Sequence, residues 1–103
     1  MLVTLAVPQG VYEQIAWRRL RFGVSDDGTL VVPLFAAKEL IAAGCTLKEP
    51  SKLPAFDLRD ELQKAPPQDI HTFLGSRGID PIPGDDADNM QRALWIADRE
   101  QGP

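Results

Sequence analysis

The stretch "GVSDDGTLVVPLFAAKELIAAGCTLKE", residues 23–49, decides the fold, because it places a turn, a strand and a helix in immediate succession. The Asp-Asp-Gly sequence at 26–28 predicts the turn, since Gly28 can adopt a positive φ without steric cost. Pro33 cannot donate to a strand ladder, so the strand "TLVV" is expected to end there, and its fixed φ suits the first turn of a helix. Gly44 is placed for a left-handed C-cap at the end of that helix.

Two further strands are expected on the N-terminal side of this stretch. Residues 2–7 alternate in a β-branched pattern, and residues 11–24 form a second extended segment that the acidic turn would join to "TLVV" in a hairpin. Strand alternation puts Leu20 and Phe22 on one face of that segment. The opposite face would carry an indole and two guanidinium groups: Trp17, Arg19 and Arg21.

The second half of the chain has a different character. Residues 48–56, "KEPSKLPAF", hold prolines and few core candidates, which is typical of a linker or of an arm lying along a surface. Short helices are predicted at 57–64, where Asp57 can act as the N-cap, and at 68–76, which would bury its apolar side chains. Residues 78–86, "GIDPIPGDD", are predicted to be extended and stiffened by proline.

The last helix carries a wide apolar arc. Acidic residues in its first turn favour the positive end of the helix dipole. The members of the arc recur at spacings of three and four residues or lie beside those positions: Ala87, Met90, Ala93, Leu94, Trp95, Ile96 and Ala97. So wide an arc on a terminal helix requires a cover that the small first half does not supply, which indicates a partner.

These elements define an α+β fold class. A small three-stranded antiparallel β unit with one packed helix is expected in residues 1–47. An arm with short helices and a terminal amphipathic helix is expected in residues 48–103. At 103 residues, the chain has room for only a modest core.

Composition and motifs predict no catalytic, cofactor-binding or metal-ligating residue. His71 has no orienting acid on its own face of a helix, so a structural role is favoured. Cys45 is the single cysteine, which excludes an internal disulfide, and it suits a small apolar filler. The acidic run beginning at Asp85 fails the EF-hand spacing, because Met90 occupies a ligand position counted from Asp86. The chain is therefore expected not to be an enzyme.

Charge and hydropathy bound the partners. The net charge of −4 disfavours nucleic acid, whose affinity depends on neutralising phosphates. No apolar run approaches the roughly 20 residues of a membrane span, and the apolar start before Pro8 is too short for a signal peptide. Synthesis in the cytoplasm is expected, with a protein as the partner. The oligomeric state stays open, a homo-oligomer included.

The candidate partner-binding residues combine exposed faces with apolar positions on the extended segments. Tryptophan and arginine are enriched at binding hot spots, although a solvated strand face explains the arginines of residues 11–24 equally well. The candidates are Trp17, Arg19, Arg21, Leu53, Phe56, Ile79, Ile82, Leu94 and Trp95.

The first half also resembles a short β-rich domain of small proteins encoded among the head genes of tailed bacteriophages. The matching pieces are "LAVPQGV" at 5–11, "RFGVSDDGTLVVP" at 21–33 and "AAKELIAAGCTL" at 36–47. The sequence departs from that pattern at Leu34, where a polar residue is expected, and at Cys45, where an aromatic one is expected. The second half has no counterpart in the pattern.

The resemblance implies a non-enzymatic virion protein, attached to the capsid as a decoration, cement or minor head protein. Its partners would be the major capsid protein or neighbouring head proteins, and its location the virion after synthesis in the bacterial host cytoplasm. Arms and an uncovered helix suit such a role, because they add contact area without a core of their own. The alternative is a small acidic regulatory or inhibitory protein that binds a host protein.

Overall fold

A computed structural model describes residues 1–11 and 13–101, and its contacts divide the chain into two units, Met1–Ala55 and Phe56–Pro103. Among the described residues, the strands occur in the first unit and three of the four helices in the second, so the α+β fold class is confirmed. The first unit continues past residue 47, since residues that were assigned to the arm supply part of a strand.

Among the residues that the structure describes, the first unit contains five strands and one helix. They are β1 (Leu2–Ala6), β2 (Gln14–Trp17), β3 (Leu20–Gly23), β4 (Thr29–Pro33), α1 (Leu34–Ala42) and β5 (Thr46–Glu49). Three of the strands form an antiparallel sheet in the order β4-β1-β5, and β2 pairs with β3 in a separate hairpin. The inward positions of β1 and β4 include Val3, Leu5, Leu30 and Val32, all of them buried.

The prediction of one extended strand over residues 11–24 is wrong. β2 and β3 are joined by a two-residue turn in which Arg18 adopts a φ of 54°. A positive φ at the first central position is typical of tight hairpin turns, although glycine is the usual residue there. The turn pairs Trp17 with Leu20, so that the two residues share one face of the hairpin. Consequently β4 pairs with β1 and not with this segment.

The acidic turn itself is confirmed, and its chemistry is local. The amide of Gly28 donates to the carbonyl of Ser25 at 2.9 Å, and Gly28 adopts a φ of 78°. The carboxylate of Asp27 accepts from both the amide and the hydroxyl of Thr29, at 3.1 and 2.6 Å. These two hydrogen bonds lower the pKa of Asp27 below its ordinary value. The turn therefore leads into β4 as predicted, without closing the predicted hairpin.

Helix α1 begins directly after Pro33, which is its N-cap, and ends in a Schellman motif. Gly44 adopts a φ of 121°, its amide donates to the carbonyl of Ile41, and the amide of Cys45 donates to that of Leu40. A Cβ on Gly44 would lie 3.2 Å from Cγ of Pro8. The predicted left-handed cap at Gly44 and the buried position of Cys45 are both confirmed.

The second unit consists of three helices: α2 (Leu58–Lys64), α3 (Pro67–Ser76) and α4 (Asp86–Gln101). As predicted, Asp57 caps α2, and its carboxylate accepts from the amide of Asp60 at 3.2 Å. Both α2 and α3 pack against α4. The core formed by the three helices contains Leu62, Ile70, Phe73, Leu74, Ala93, Ile96 and Ala97.

The buried face of α4 is displaced by one residue from the predicted apolar arc in the first part of the helix. Ala97 and Ile96 are buried as expected, whereas Ala87 is exposed and Met90 and Leu94 are only half-buried. Asn89 occupies the inward position in the first half of the helix. A polar side chain therefore takes a core position that the apolar periodicity could not assign.

Candidate interaction surface

The tryptophan and the two arginines predicted on one strand face are not together on an exposed face. Trp17 is 3% exposed, stacks on Phe22 with ring centroids 5.6 Å apart and lies 6.0 Å from the ring of Phe35. Arg19 and Arg21 are exposed. The hairpin turn is the reason, because Arg19 lies in the turn itself and Arg21 on the returning strand opposite Ala16, whereas the indole of Trp17 at the end of β2 is buried in the core.

One carboxylate holds this hairpin on α1. The indole Nε1 of Trp17 donates to Oε2 of Glu39 at 2.8 Å. The guanidinium of Arg18 donates to both oxygens of the same carboxylate, at 2.7 and 3.0 Å. Trp17 and Arg18 are therefore structural residues that position the β2–β3 hairpin.

The other predicted residues divide into half-buried and exposed side chains. Five of them are half-buried: Leu53, Phe56, Ile79, Ile82 and Leu94. Trp95 is 60% exposed. Of the predicted set, Ile79 and Trp95 line the same surface depression.

A depression of about 420 Å³ lies beside the exposed face of α4. Its walls combine apolar and polar side chains: Ile79, Asp88, Gln91, Arg92, Trp95 and Ile96. Asp88 and Arg92 form an ion pair at 2.8 Å, so these two charges compensate each other within the wall. The depression therefore offers an apolar floor and an indole with little net charge in its lining.

Asn89 holds the segment that forms the far wall of this depression, and sequence reasoning missed it. Its Oδ1 accepts from the amide of Ile82 at 2.8 Å, and its Nδ2 donates to the carbonyl of Ile82 at 2.9 Å. Nδ2 also lies 3.4 Å from Nε2 of His71. Asn89 is 1% exposed, so these partners satisfy its amide in the core. The signal was an asparagine one turn before the buried Ala93.

The guanidinium of Arg99 lies over the indole of Trp95 at the rim of the depression. The guanidinium carbon of Arg99 lies 4.7 Å from the centroid of the Trp95 ring. Arg99 is exposed, so its N–H groups stay available to an acceptor beside this cation–π contact. An exposed indole with a cation over its ring has the composition of an interface hot spot.

A second apolar area lies on the first unit. Leu2 and Val31 project from the outward face of the β4-β1-β5 sheet, because Thr4 stands opposite Val31 in the register. Both are more than half exposed, as is Met1. The two units thus each carry exposed apolar side chains, and the area on α4 adjoins a depression.

The described residues offer few side-chain groups suited to metal binding or nucleophilic catalysis. No group of three or more metal-ligating side chains occurs among residues 1–11 and 13–101. His71 lines a cavity of about 40 Å³ with Asp86 and Asn89, which is room for a water molecule. Burial raises the pKa of the Cys45 thiol, which opposes formation of a nucleophilic thiolate. Within the same ranges, no helix has the length and apolar character needed to cross a membrane.

No family model matches the chain, and neither a curated protein nor a solved structure does.

Proposed function

We propose that the protein is a non-enzymatic virion structural protein of a tailed bacteriophage, which binds the capsid as a decoration, cement or minor head protein. It would be made in the host cytoplasm and would occupy the outer or inner face of the head through contacts with the major capsid protein or a neighbouring head protein. The resemblance of residues 5–47 to small head proteins supplies the phage context.

The observation that carries the binding role is the depression beside α4 with its exposed Trp95. An indole is a costly group to leave in water, and covering the rest of it would stabilise a complex by about 3 kcal/mol. Most of the lining belongs to α4, and Asn89 fixes the segment that carries Ile79 through Ile82, so a partner would meet a preformed surface and lose little ordering entropy. A chain with these features is suited to binding another protein.

Stable attachment requires more area than this depression alone. A typical specific interface buries about 800 Å² on each partner. The exposed face of α4 around Trp95 supplies adjoining area, and the sheet face with Leu2 and Val31 supplies a second contact. A capsid presents many copies of each contact, which raises the effective affinity of a weak single site.

Co-sedimentation with purified capsids tests the proposal. The chain is mixed with capsids of the phage that encodes it, and the pellet of a density gradient is quantified. We expect saturable binding at a fixed ratio to the major capsid protein. A chain that is present in infected cells but absent from purified particles contradicts the proposal, and recovery of one stoichiometric host protein in a pull-down would favour the regulatory alternative.

A further inference from the structure

We propose that the depression beside α4 receives a capsid-protein segment that inserts one apolar side chain against Trp95 and places a carboxylate on the guanidinium of Arg99. This inference rests on the proposed function, since it specifies the chemistry of the partner at the same surface. It is carried by the distribution of charge in the second unit and by the shape of the depression.

The second unit is acidic, yet its charge reverses locally at the depression. Residues 56–103 contain ten Asp and Glu residues and five Lys and Arg residues, a balance of −5 with His71 neutral. Four of the five cations lie between 2.7 and 3.0 Å from a carboxylate: Arg59, Lys64, Arg77 and Arg92. Arg99 has no carboxylate within ion-pair distance among the described residues. Instead, its guanidinium makes a cation–π contact with the indole of Trp95.

The carboxylates nearest to Arg99 in the chain are already engaged. Asp98 accepts from Arg59 at 2.7 Å, and Glu100 accepts from Arg77 at 2.7 and 3.1 Å. Asp88, in the wall of the depression, is paired with Arg92. Among the charged side chains that line the depression or flank Arg99 in the chain, only the guanidinium of Arg99 is therefore left without a counter-charge.

This combination favours a carboxylate over other anionic partners. A guanidinium carries a planar fork of N–H donors that binds a carboxylate with two hydrogen bonds, and Arg99 is exposed. Nucleic acid would require several uncompensated cations, and the surrounding unit is acidic. The apolar floor beside the indole, formed by Ile79 and Ile96, sets the second requirement, an apolar side chain next to the carboxylate.

Variants of the full chain in capsid co-sedimentation test this partner chemistry. We expect Trp95→Ala to weaken binding by about 30-fold or more, as for a hot-spot residue. Arg99→Glu should weaken it by roughly 10- to 100-fold, the range for losing a charge-assisted hydrogen bond. Lys38→Glu is the matched control, since Lys38 is exposed on α1 and its reversal changes the net charge equally. Circular dichroism verifies that all three variants fold.

A second experiment changes the carboxylates of the capsid and leaves the chain unchanged. Carbodiimide coupling of ethylenediamine replaces surface carboxylates with amines, and electron microscopy verifies that the shells stay intact. The wild-type chain should bind these modified capsids more weakly than untreated ones. The Arg99→Glu variant should bind the modified capsids more tightly than it binds untreated ones. Failure of the variant to regain binding overturns the assignment of a carboxylate to Arg99.

The remaining outcomes separate this inference from the proposed function. If the wild-type chain binds capsids and both α4 variants bind as well as Lys38→Glu, the inference is wrong while the capsid role stands. If the wild-type chain does not bind capsids, both are wrong. Dimerisation of the wild-type chain that Trp95→Ala abolishes would show that a second copy fills the depression, which also overturns the inference.

Discussion

Glu39 is the residue on which the position of the β2–β3 hairpin depends most. Its carboxylate accepts from Trp17, which is almost fully buried, and from Arg18 in the turn. The ion pair with Arg18 is exposed and stabilises the fold little by itself. The hydrogen bond from the indole is different, because a buried donor that loses its acceptor keeps the full cost of leaving water.

Glu39→Ala should therefore lower the free energy of unfolding by about 2–3 kcal/mol. Glu39→Gln keeps an acceptor for the indole while removing the ion pair, so its cost should be about 1 kcal/mol or less. Urea denaturation monitored by tryptophan fluorescence measures both. Equal losses for the two variants would show that the charge, and not the indole hydrogen bond, holds the hairpin.

Asp27 should make the stability depend on pH. Hydrogen bonds from Thr29 lower the pKa of Asp27 below 3.8, so the folded state favours the carboxylate. The resulting stabilisation is complete above the pKa of the unfolded chain and disappears as the pH falls through the lower folded pKa. Asp27→Ala should be less stable than the wild type at pH 7, and the difference should shrink as the pH falls through the folded pKa of Asp27. Denaturation curves across that range test the sign, and a difference that grows toward low pH would contradict it.

The sequence predicted the helix caps correctly, but it did not predict which tryptophan is buried. Gly44 and Asp57 were identified because their roles depend on neighbours in the chain. The two tryptophans have opposite environments, Trp17 in the core and Trp95 in solvent. Trp17 is buried because it contacts Phe35 and Glu39, which are distant in sequence. Residue type alone therefore does not predict the difference in burial.

Among the elements, α4 has the largest role, since it carries core residues on one side and the candidate interaction surface on the other. Its register against the segment 78–85 is set by Asn89, whose amide matches both backbone polar groups of Ile82. The wall formed by Ile79 belongs to the same segment. The shape of the depression thus depends on a side chain that does not line it.

Asn89→Ala should cost about 2–3 kcal/mol, because two hydrogen bonds are lost and the polar groups of Ile82 lose their partners. Asn89→Asp should not restore stability, since a carboxylate can accept from the amide of Ile82 but cannot donate to its carbonyl. Thermal unfolding of the two variants gives the comparison. Wild-type stability of Asn89→Asp would mean that a single hydrogen bond to Ile82 suffices.

The helices were predictable because proline and carboxylate caps mark their ends, as Pro66, Pro67 and Asp57 do here. The β2–β3 hairpin was not, because its turn contains Arg18 and Arg19 in place of the glycine or asparagine that usually signals such turns. β5 was missed for a related reason. Its four residues are mostly exposed, and it is held by pairing with β1, which leaves no alternating apolar pattern.

As a whole molecule, the chain has two small cores. Each unit is shorter than about 60 residues, a size at which a domain is only marginally stable. The fold class was predictable from the separation of strands and helices along the chain. The extent of the first unit was not, since it depends on the addition of β5 to the sheet and reaches Ala55.

Phe73→Ala should destabilise the helical unit by about 3–5 kcal/mol, as expected for removal of a fully buried phenylalanine. Trp95→Ala is the matched control, since it removes a comparable volume from an exposed position and should change stability by less than about 0.5 kcal/mol. Hydrogen exchange should show loss of protection in α2, α3 and α4 for Phe73→Ala. Equal destabilisation by both variants would contradict the placement of Trp95 on the surface.

The most direct test of the capsid role is the copy number of this chain in purified phage particles. Isotope-dilution mass spectrometry of gradient-purified particles gives its ratio to the major capsid protein. We predict a fixed, reproducible ratio that persists through repeated purification. Absence from the particles, together with detection in infected cells, would contradict the account.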